Sequence, residues 1–124
     1  MLSKLENILI LVIGGVGMHL ARRLVHEGAS VTVIETDPKL VQEAAETMDA
    51  RVLKGNSMSL SSWRAAEAES KELMIADTND DATNMLSALI ADRFGIERKI
   101  VRVRSLDFEP GSVLPPEELK IDLM

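Results

Sequence analysis

The stretch Asn7-Ile8-Leu9-Ile10-Leu11-Val12-Ile13-Gly14-Gly15-Val16-Gly17-Met18-His19-Leu20-Ala21 decides the fold. After a polar lead, Ile8 to Ile13 is apolar at every position. A short, continuously apolar and β-branched run reads as a strand buried on both faces, the pattern of a parallel sheet covered by helices. Gly14, Gly15 and Gly17 then break it, and from Val16 to Glu27 the period becomes helical. Gly17, Leu20, Ala21, Leu24 and Val25 fall on one face, and His19, Arg22, Arg23 and His26 on the other. Gly28 stands where a helix C′ residue belongs.

The same alternation continues downstream. Val31 to Ile34 is a second strand, and Asp37-Pro38 reads as N-cap and first helical residue of a helix to about Met48. Val52-Leu53 is a minimal third strand, Gly55 to Ser57 a loop, and Leu60 to Ala66 a short helix. Leu73 to Ala76 is the fourth strand. Thr78-Asn79-Asp80-Asp81 matches a capping box with Thr78 as the cap, opening a helix to Phe94 that Gly95 stops. Lys99 to Val103 is the fifth strand. Five short apolar strands separated by helices predict an α/β fold: a Rossmann-like, doubly wound parallel sheet in three α/β/α layers. With right-handed crossovers the expected strand order is 3-2-1-4-5, and the chain changes direction between the first and fourth strands.

Residues 1–104 form the expected domain. From Ser105 the pattern dissolves into Pro110, Gly111, Pro115 and Pro116, so 105–124 reads as a linker or edge segment. The apolar end Ile121-Asp122-Leu123-Met124 looks interrupted, as in a piece of a longer protein. The 124 residues suit one domain, and 46% hydrophobic residues supply a core. No apolar run approaches the roughly 20 residues that span a bilayer, and the polar opening carries no signal-peptide pattern, so a cytoplasmic protein without direct membrane insertion is expected. The net charge of −6, with no basic stripe, argues against nucleic acid as a partner. With no cysteine and no tyrosine, disulfides, thiolate metal sites and tyrosine acids are excluded. Trp63 reads as a core anchor and the seven methionines as packing.

A dinucleotide fingerprint, G-x-G-x-x-G, uses its first glycine for the tight turn, its second for close approach of pyrophosphate, and its third for close helix–strand packing. Two registers fit here. In the one adopted, Gly14 and Gly17 are the second and third glycines and Val12 replaces the first, with Gly15 adding freedom to the loop. In the other, Leu20 would occupy the packing site and clash. The helix start, about Gly15, Val16, Gly17 and Met18, presents free amides and the positive end of the helix dipole to an anion. Glu35 ends the second strand, 18 residues beyond Gly17. That spacing suits an acid that receives ribose hydroxyls and disfavours a 2′-phosphate. Asn56 and Ser57 could rim an adenine pocket, a bland loop being an equal reading. Thr78 and Asn79 sit beside the switch point, where capping alone would explain them. Arg102 and Arg104 end the fifth strand; a guanidinium there could meet phosphate, with a surface ion pair as the default. Asp37 reads as a helix cap. His19 and His26 read as solvated, and no catalytic residue is assigned.

Taken together, these segments resemble the RCK (KTN, TrkA N-terminal) family. They are Gly14-Gly15-Val16-Gly17-Met18-His19-Leu20-Ala21, Val33-Ile34-Glu35-Thr36-Asp37-Pro38, Arg51-Val52-Leu53-Lys54-Gly55-Asn56-Ser57, Ala76-Asp77-Thr78-Asn79-Asp80-Asp81-Ala82-Thr83-Asn84-Met85 and Val101-Arg102-Val103-Arg104, followed by the tail from Pro116 to Met124. The resemblance implies a non-enzymatic domain that binds NAD(H) or ATP/ADP and self-associates as a homo-oligomer. It further implies docking on a membrane-embedded potassium transporter subunit at the inner face of the membrane. It places phosphates on Gly14, Gly15 and Gly17, ribose on Glu35 and the adenine side on Asn56, where the family more often has Asp. Val12 is the main departure.

Other classes fit less well. An oxidoreductase half would need a substrate domain, and no histidine stands at a strand end facing the switch point. A phosphoryl-signalling receiver needs acids after the first strand and an Asp after the third, where Gly14-Gly15 and Gly55-Asn56 stand. A P-loop enzyme needs Gly-Lys-Ser/Thr after the glycine loop. A degenerate domain that serves assembly alone remains open because of Val12.

Overall fold

A computed structural model describes residues 6–12, 15–105 and 115–122. The strands are β1 (Asn7–Val12), β2 (Ser30–Glu35), β3 (Arg51–Lys54), β4 (Leu73–Asp77) and β5 (Arg98–Val101). The helices are α1 (Gly15–His26), α2 (Pro38–Thr47), α3 (Leu60–Ala65) and α4 (Asp81–Arg93), with 3-10 turns at Ala68–Ser70 and Pro116–Leu119. The sheet is parallel throughout, in the expected order β3-β2-β1-β4-β5.

Side-chain alternation along β1 builds the three layers. Ile8, Ile10 and Val12 pack with Val31, Val33, Leu73 and Ile75 beneath Met18, Ala21 and Leu24 of α1 and Ala44 of α2. Leu9 and Leu11 point the other way, with Ile34, Met74, Ala76 and Val101 against Trp63 of α3 and Met85, Ala88 and Ala91 of α4. A strand buried on both faces has no polar side, which is why the β1 sequence is apolar at every step. At about 25 cal/mol per Å² of apolar surface removed from water, this two-sided burial is the main stabilising contribution to the sheet.

The helix ends follow their chemistry. Gly28 at φ +96° ends α1, and Gly95 at φ +84° follows α4, both in the left-handed region that glycine enters without strain. Asp37 caps α2, its side chain accepting from the Lys39 amide at 2.9 Å. The expected cap of α4 is corrected. Asp80, not Thr78, is the N-cap, and its carboxylate accepts from the Thr83 amide at 3.1 Å. Thr78 lies two residues upstream; its hydroxyl donates to Asn84 Oδ1 and accepts from the Asp80 amide at 3.2 Å, so it supports the cap residue without being the cap. β5 ends at Val101, so Arg102 and Arg104 lie just past it. Part of the 105–124 segment packs on the domain: Leu119 and Ile121 join the α4 core, and the Asp122 amide donates to the Lys99 carbonyl at 2.9 Å.

Candidate functional site

β1 and β4 lie side by side with Val12 paired to Asp77 at their carboxyl ends. From there the chain leaves to α1 on one face and to α4 on the other, which opens a crevice at the top of the sheet. Gly17 controls how closely α1 approaches that edge. A Cβ added there would stand 2.5 Å from Val12 Cγ1, 2.7 Å from Val12 Cβ and 3.4 Å from the Asp77 carbonyl oxygen. Gly17 is thus the helix–strand packing glycine, and the space it leaves holds the Val12 side chain. The first turn of α1 contains no acidic residue, whereas Arg23 and His26 complement the dipole in its last turn. Gly14 lies outside the described residues. Gly15 and Val16 are the first two residues of α1.

Glu35 is buried at the end of β2. Its Oε2 accepts from the Asp37 amide at 2.9 Å and from the Thr36 hydroxyl at 3.3 Å, which fixes the carboxylate at the sheet's upper edge. The Glu35 carbonyl accepts from the Gly55 amide at 2.9 Å, joining the ends of β2 and β3. Beside them a cavity of about 340 Å³ is lined by Thr36, Lys54, Gly55 and Asn56. The Asn56 side chain accepts from the Met58 amide at 2.8 Å, its own amide donates to Ser62 Oγ at 3.1 Å, and the Ser57 carbonyl accepts from the Trp63 indole at 2.7 Å. Glu35 and Asn56 therefore lie at neighbouring strand ends at one edge of the sheet.

On the other side of the switch point the residues are bound to one another. Thr78 donates its hydroxyl to Asn84 Oδ1 at 2.6 Å, and its amide bonds the same oxygen at 3.0 Å. Asn84 Nδ2 donates to the Thr78 carbonyl at 3.0 Å and to the Arg102 carbonyl at 2.8 Å, tying the segments after β4 and β5 together. Asn79 is exposed. Arg102 pairs with Asp77 at 3.1 Å, the ion pair expected for it. Arg104 is exposed, and its amide donates to Asp81 Oδ1 at 3.0 Å. A second cavity of about 310 Å³, lined by Leu20, Ile75, Ala76, Asp77, Ile100, Val101 and Arg102, opens on the α1 side of β4 and β5.

Sequence reasoning missed Asn84 and Asp81 as organisers of this half. A signal for Asn84 existed: it is a polar residue on the Ala88–Ala91 face of α4, which packs on the sheet. A fully buried amide needs every partner satisfied, and here both its atoms are. Asp81 gave no such signal, because its two oxygens take the Arg104 and Ser105 amides from a segment far along the chain. Among the described residues no group of three or more His, Cys, Asp or Glu side chains could hold a metal ion, and no helix is long and apolar enough to cross a membrane.

A doubly wound parallel sheet with a glycine-tightened helix start at its switch point defines the Rossmann class of α/β domain. Within that class the chain belongs to the TrkA-N domain family, whose model matches residues 8–112. It is similar to the Trk system potassium uptake protein TrkA homolog of Methanothermobacter thermautotrophicus, 32% identical over 102 residues that cover 81% of this chain and 47% of that protein. It is also similar to the Trk system potassium uptake protein TrkA of Vibrio alginolyticus, at 30% identity over 91% of this chain and 28% of that one. The TrkA of Halomonas elongata is 35% identical over 80% of this chain and 22% of its own length. The chain thus spans about half, or less, of the length of these relatives.

Proposed function

We propose that the chain is a nucleotide-binding regulatory domain of a TrkA-like potassium uptake system and not an enzyme. The observation that carries this reading is the approach of α1 to β1 at Gly17, which sets a helix N-terminus without acidic side chains at the switch point. Free amides and the dipole's positive end favour an anion there. Gly14, Gly15, Val16 and Gly17 would cradle phosphates, Glu35 would receive ribose hydroxyls, and Asn56 and Ser57 would border adenine. Both NAD(H) and ATP/ADP carry this adenosine–phosphate half. Thr78, Asn79 and Arg104 would border the second half of a dinucleotide.

The names of the relatives support a role in potassium uptake, and in this reading the domain is cytoplasmic and acts on a membrane-embedded potassium transporter subunit. In this reading the domain works as a homo-oligomer, with the exposed Leu86 of α4 and Leu60 of α3 as positions to probe for a subunit contact. Nucleotide binding would then favour one packing of the subunits over another and so control transport.

Melting of the purified chain with NADH, NAD, ATP or ADP tests the binding step. A ligand that binds only the folded state at 100 times its Kd adds about 2.7 kcal/mol, roughly 10 °C in Tm for a domain of this size. An unchanged Tm with all four at millimolar concentration would leave a domain that serves assembly alone.

A further inference from the structure

Trp63, the one tryptophan in the chain, is fully buried, yet its indole N–H reaches the Ser57 carbonyl of the loop after β3 at 2.7 Å. Its ring stacks on Phe94 at the end of α4, 5.8 Å between centroids and 5° from parallel, so the donor direction is set by the core and not by the loop. One residue earlier, Ser62 holds the same loop by accepting from the Asn56 amide, and its Oγ would lie 2.6 Å from a Cβ at Gly55. α3 therefore grips both Asn56 and Ser57, and Asn56 lines the cavity beside Glu35.

We infer that Trp63 is a positioning residue for adenosine recognition: its indole N–H fixes the Ser57 carbonyl and so holds the Gly55–Ser57 loop at the spacing an adenine ring needs. This inference rests on the nucleotide-binding reading above. The bond is local to the loop, while the stacked ring belongs to the core, so the two roles of the residue separate by substitution. Trp63→Phe keeps an aromatic ring against Phe94 and removes the donor. Phe94→Leu removes the stack and keeps the donor.

Calorimetric titration of the whole chain with ADP and with NADH tests it. Wild type and Phe94→Leu bind each ligand with similar affinity, whereas Trp63→Phe, folded by circular dichroism, binds both about fivefold more weakly, as the loss of one net hydrogen bond implies. Equal affinity of wild type and Trp63→Phe, with binding intact, overturns the positioning role alone. Should Trp63→Phe fail to fold, Ser62→Ala, which frees the Asn56 amide of the same loop, takes its place, and affinity equal to the wild type overturns the loop-positioning role. Absence of any binding by the wild type overturns this inference together with the nucleotide-binding reading.

Discussion

Replacing Gly17 by alanine tests the geometry on which the switch-point site depends. At an ordinary exposed helix position, glycine to alanine stabilises by up to about 1 kcal/mol, because alanine loses less backbone freedom on folding. Here the new methyl would meet Val12 Cγ1 at 2.5 Å and Val12 Cβ at 2.7 Å. Rotating Val12 moves Cγ1 away but leaves Cβ, which is fixed to the β1 backbone in the middle of the sheet. The helix has to shift instead, and overpacking of this kind costs typically 1–3 kcal/mol. Taking the upper end, because neither partner can turn aside, and subtracting the helix gain gives a net loss of about 2 kcal/mol. At roughly 4 °C per kcal/mol for a domain of this size, Tm falls by about 8 °C. Calorimetric melting of double-mutant cycles measures it. Val12→Ala leaves the Cβ contact, so Gly17→Ala costs nearly as much on that background as in the wild type. Val12→Gly removes both contacts, so Gly17→Ala costs less there, measured against the Val12→Gly chain because emptying this buried position is itself destabilising. A Gly17→Ala chain at least as stable as the wild type would refute the close-packing assignment.

Three further outcomes follow from buried or capping groups. Asn84→Ala leaves the Thr78 amide and the Arg102 carbonyl without their partner. At 1–3 kcal/mol per buried unsatisfied group, stability falls by about 3 kcal/mol, read as a lower midpoint in urea with an unchanged slope. Lys71 is buried, and its Nζ donates to Asn7 Oδ1 and Thr32 Oγ1 at 3.3 and 3.1 Å. Its ammonium is held below its ordinary pKa of 10.5 first by burial and further by the Arg51 charge, against the opposing pull of Glu67 and Glu69. Between that lowered value and 10.5 the unfolded chain binds the extra proton, so stability gained from this group rises with pH across the window. Lys71→Met removes this rise, seen by subtracting the two Tm–pH curves; parallel curves would contradict the desolvated lysine. The Asp80 carboxylate is held below its usual range by the Thr83 hydroxyl and amide. Its contribution is complete above the unfolded value of 3.8 and is lost as pH falls through the lower folded value, so Asp80→Ala reduces Tm at neutral pH by more than in strong acid.

Strand identity and order were legible because buried parallel strands leave a continuous apolar signature and right-handed crossovers leave few topologies. The Gly17 register was legible too, since Leu20 cannot stand where a Cβ already meets Val12. What a linear motif could not resolve was which of Thr78 and Asp80 closes α4. Both are capping residues, and the choice fell to Asn84, a tertiary partner six residues away that captures the Thr78 hydroxyl. The same limit hid the bond from Trp63 to Ser57 and the burial of Lys71. In each case a side chain reads as core or surface by type, while its polar atom finds a partner on another element. Of the candidate ligand residues, Glu35 and Asn56 lie at neighbouring strand ends because β2 pairs with β3, a consequence of the expected strand order. Arg104 depended on where β5 stops, the least legible feature of a short edge strand.

The role proposed for the α1 start and the end of β2 is to hold an adenosine nucleotide between them. Its most direct test is calorimetric titration of NADH and ADP into the wild-type chain and into Glu35→Ala. Saturable one-to-one binding by the wild type and at least tenfold weaker binding by Glu35→Ala are expected, since hydrogen bonds to a charged group contribute about 1.5–3 kcal/mol. Binding of equal strength by both chains would contradict the assignment of ribose to Glu35, and no heat from the wild type with either ligand would contradict the proposed role itself.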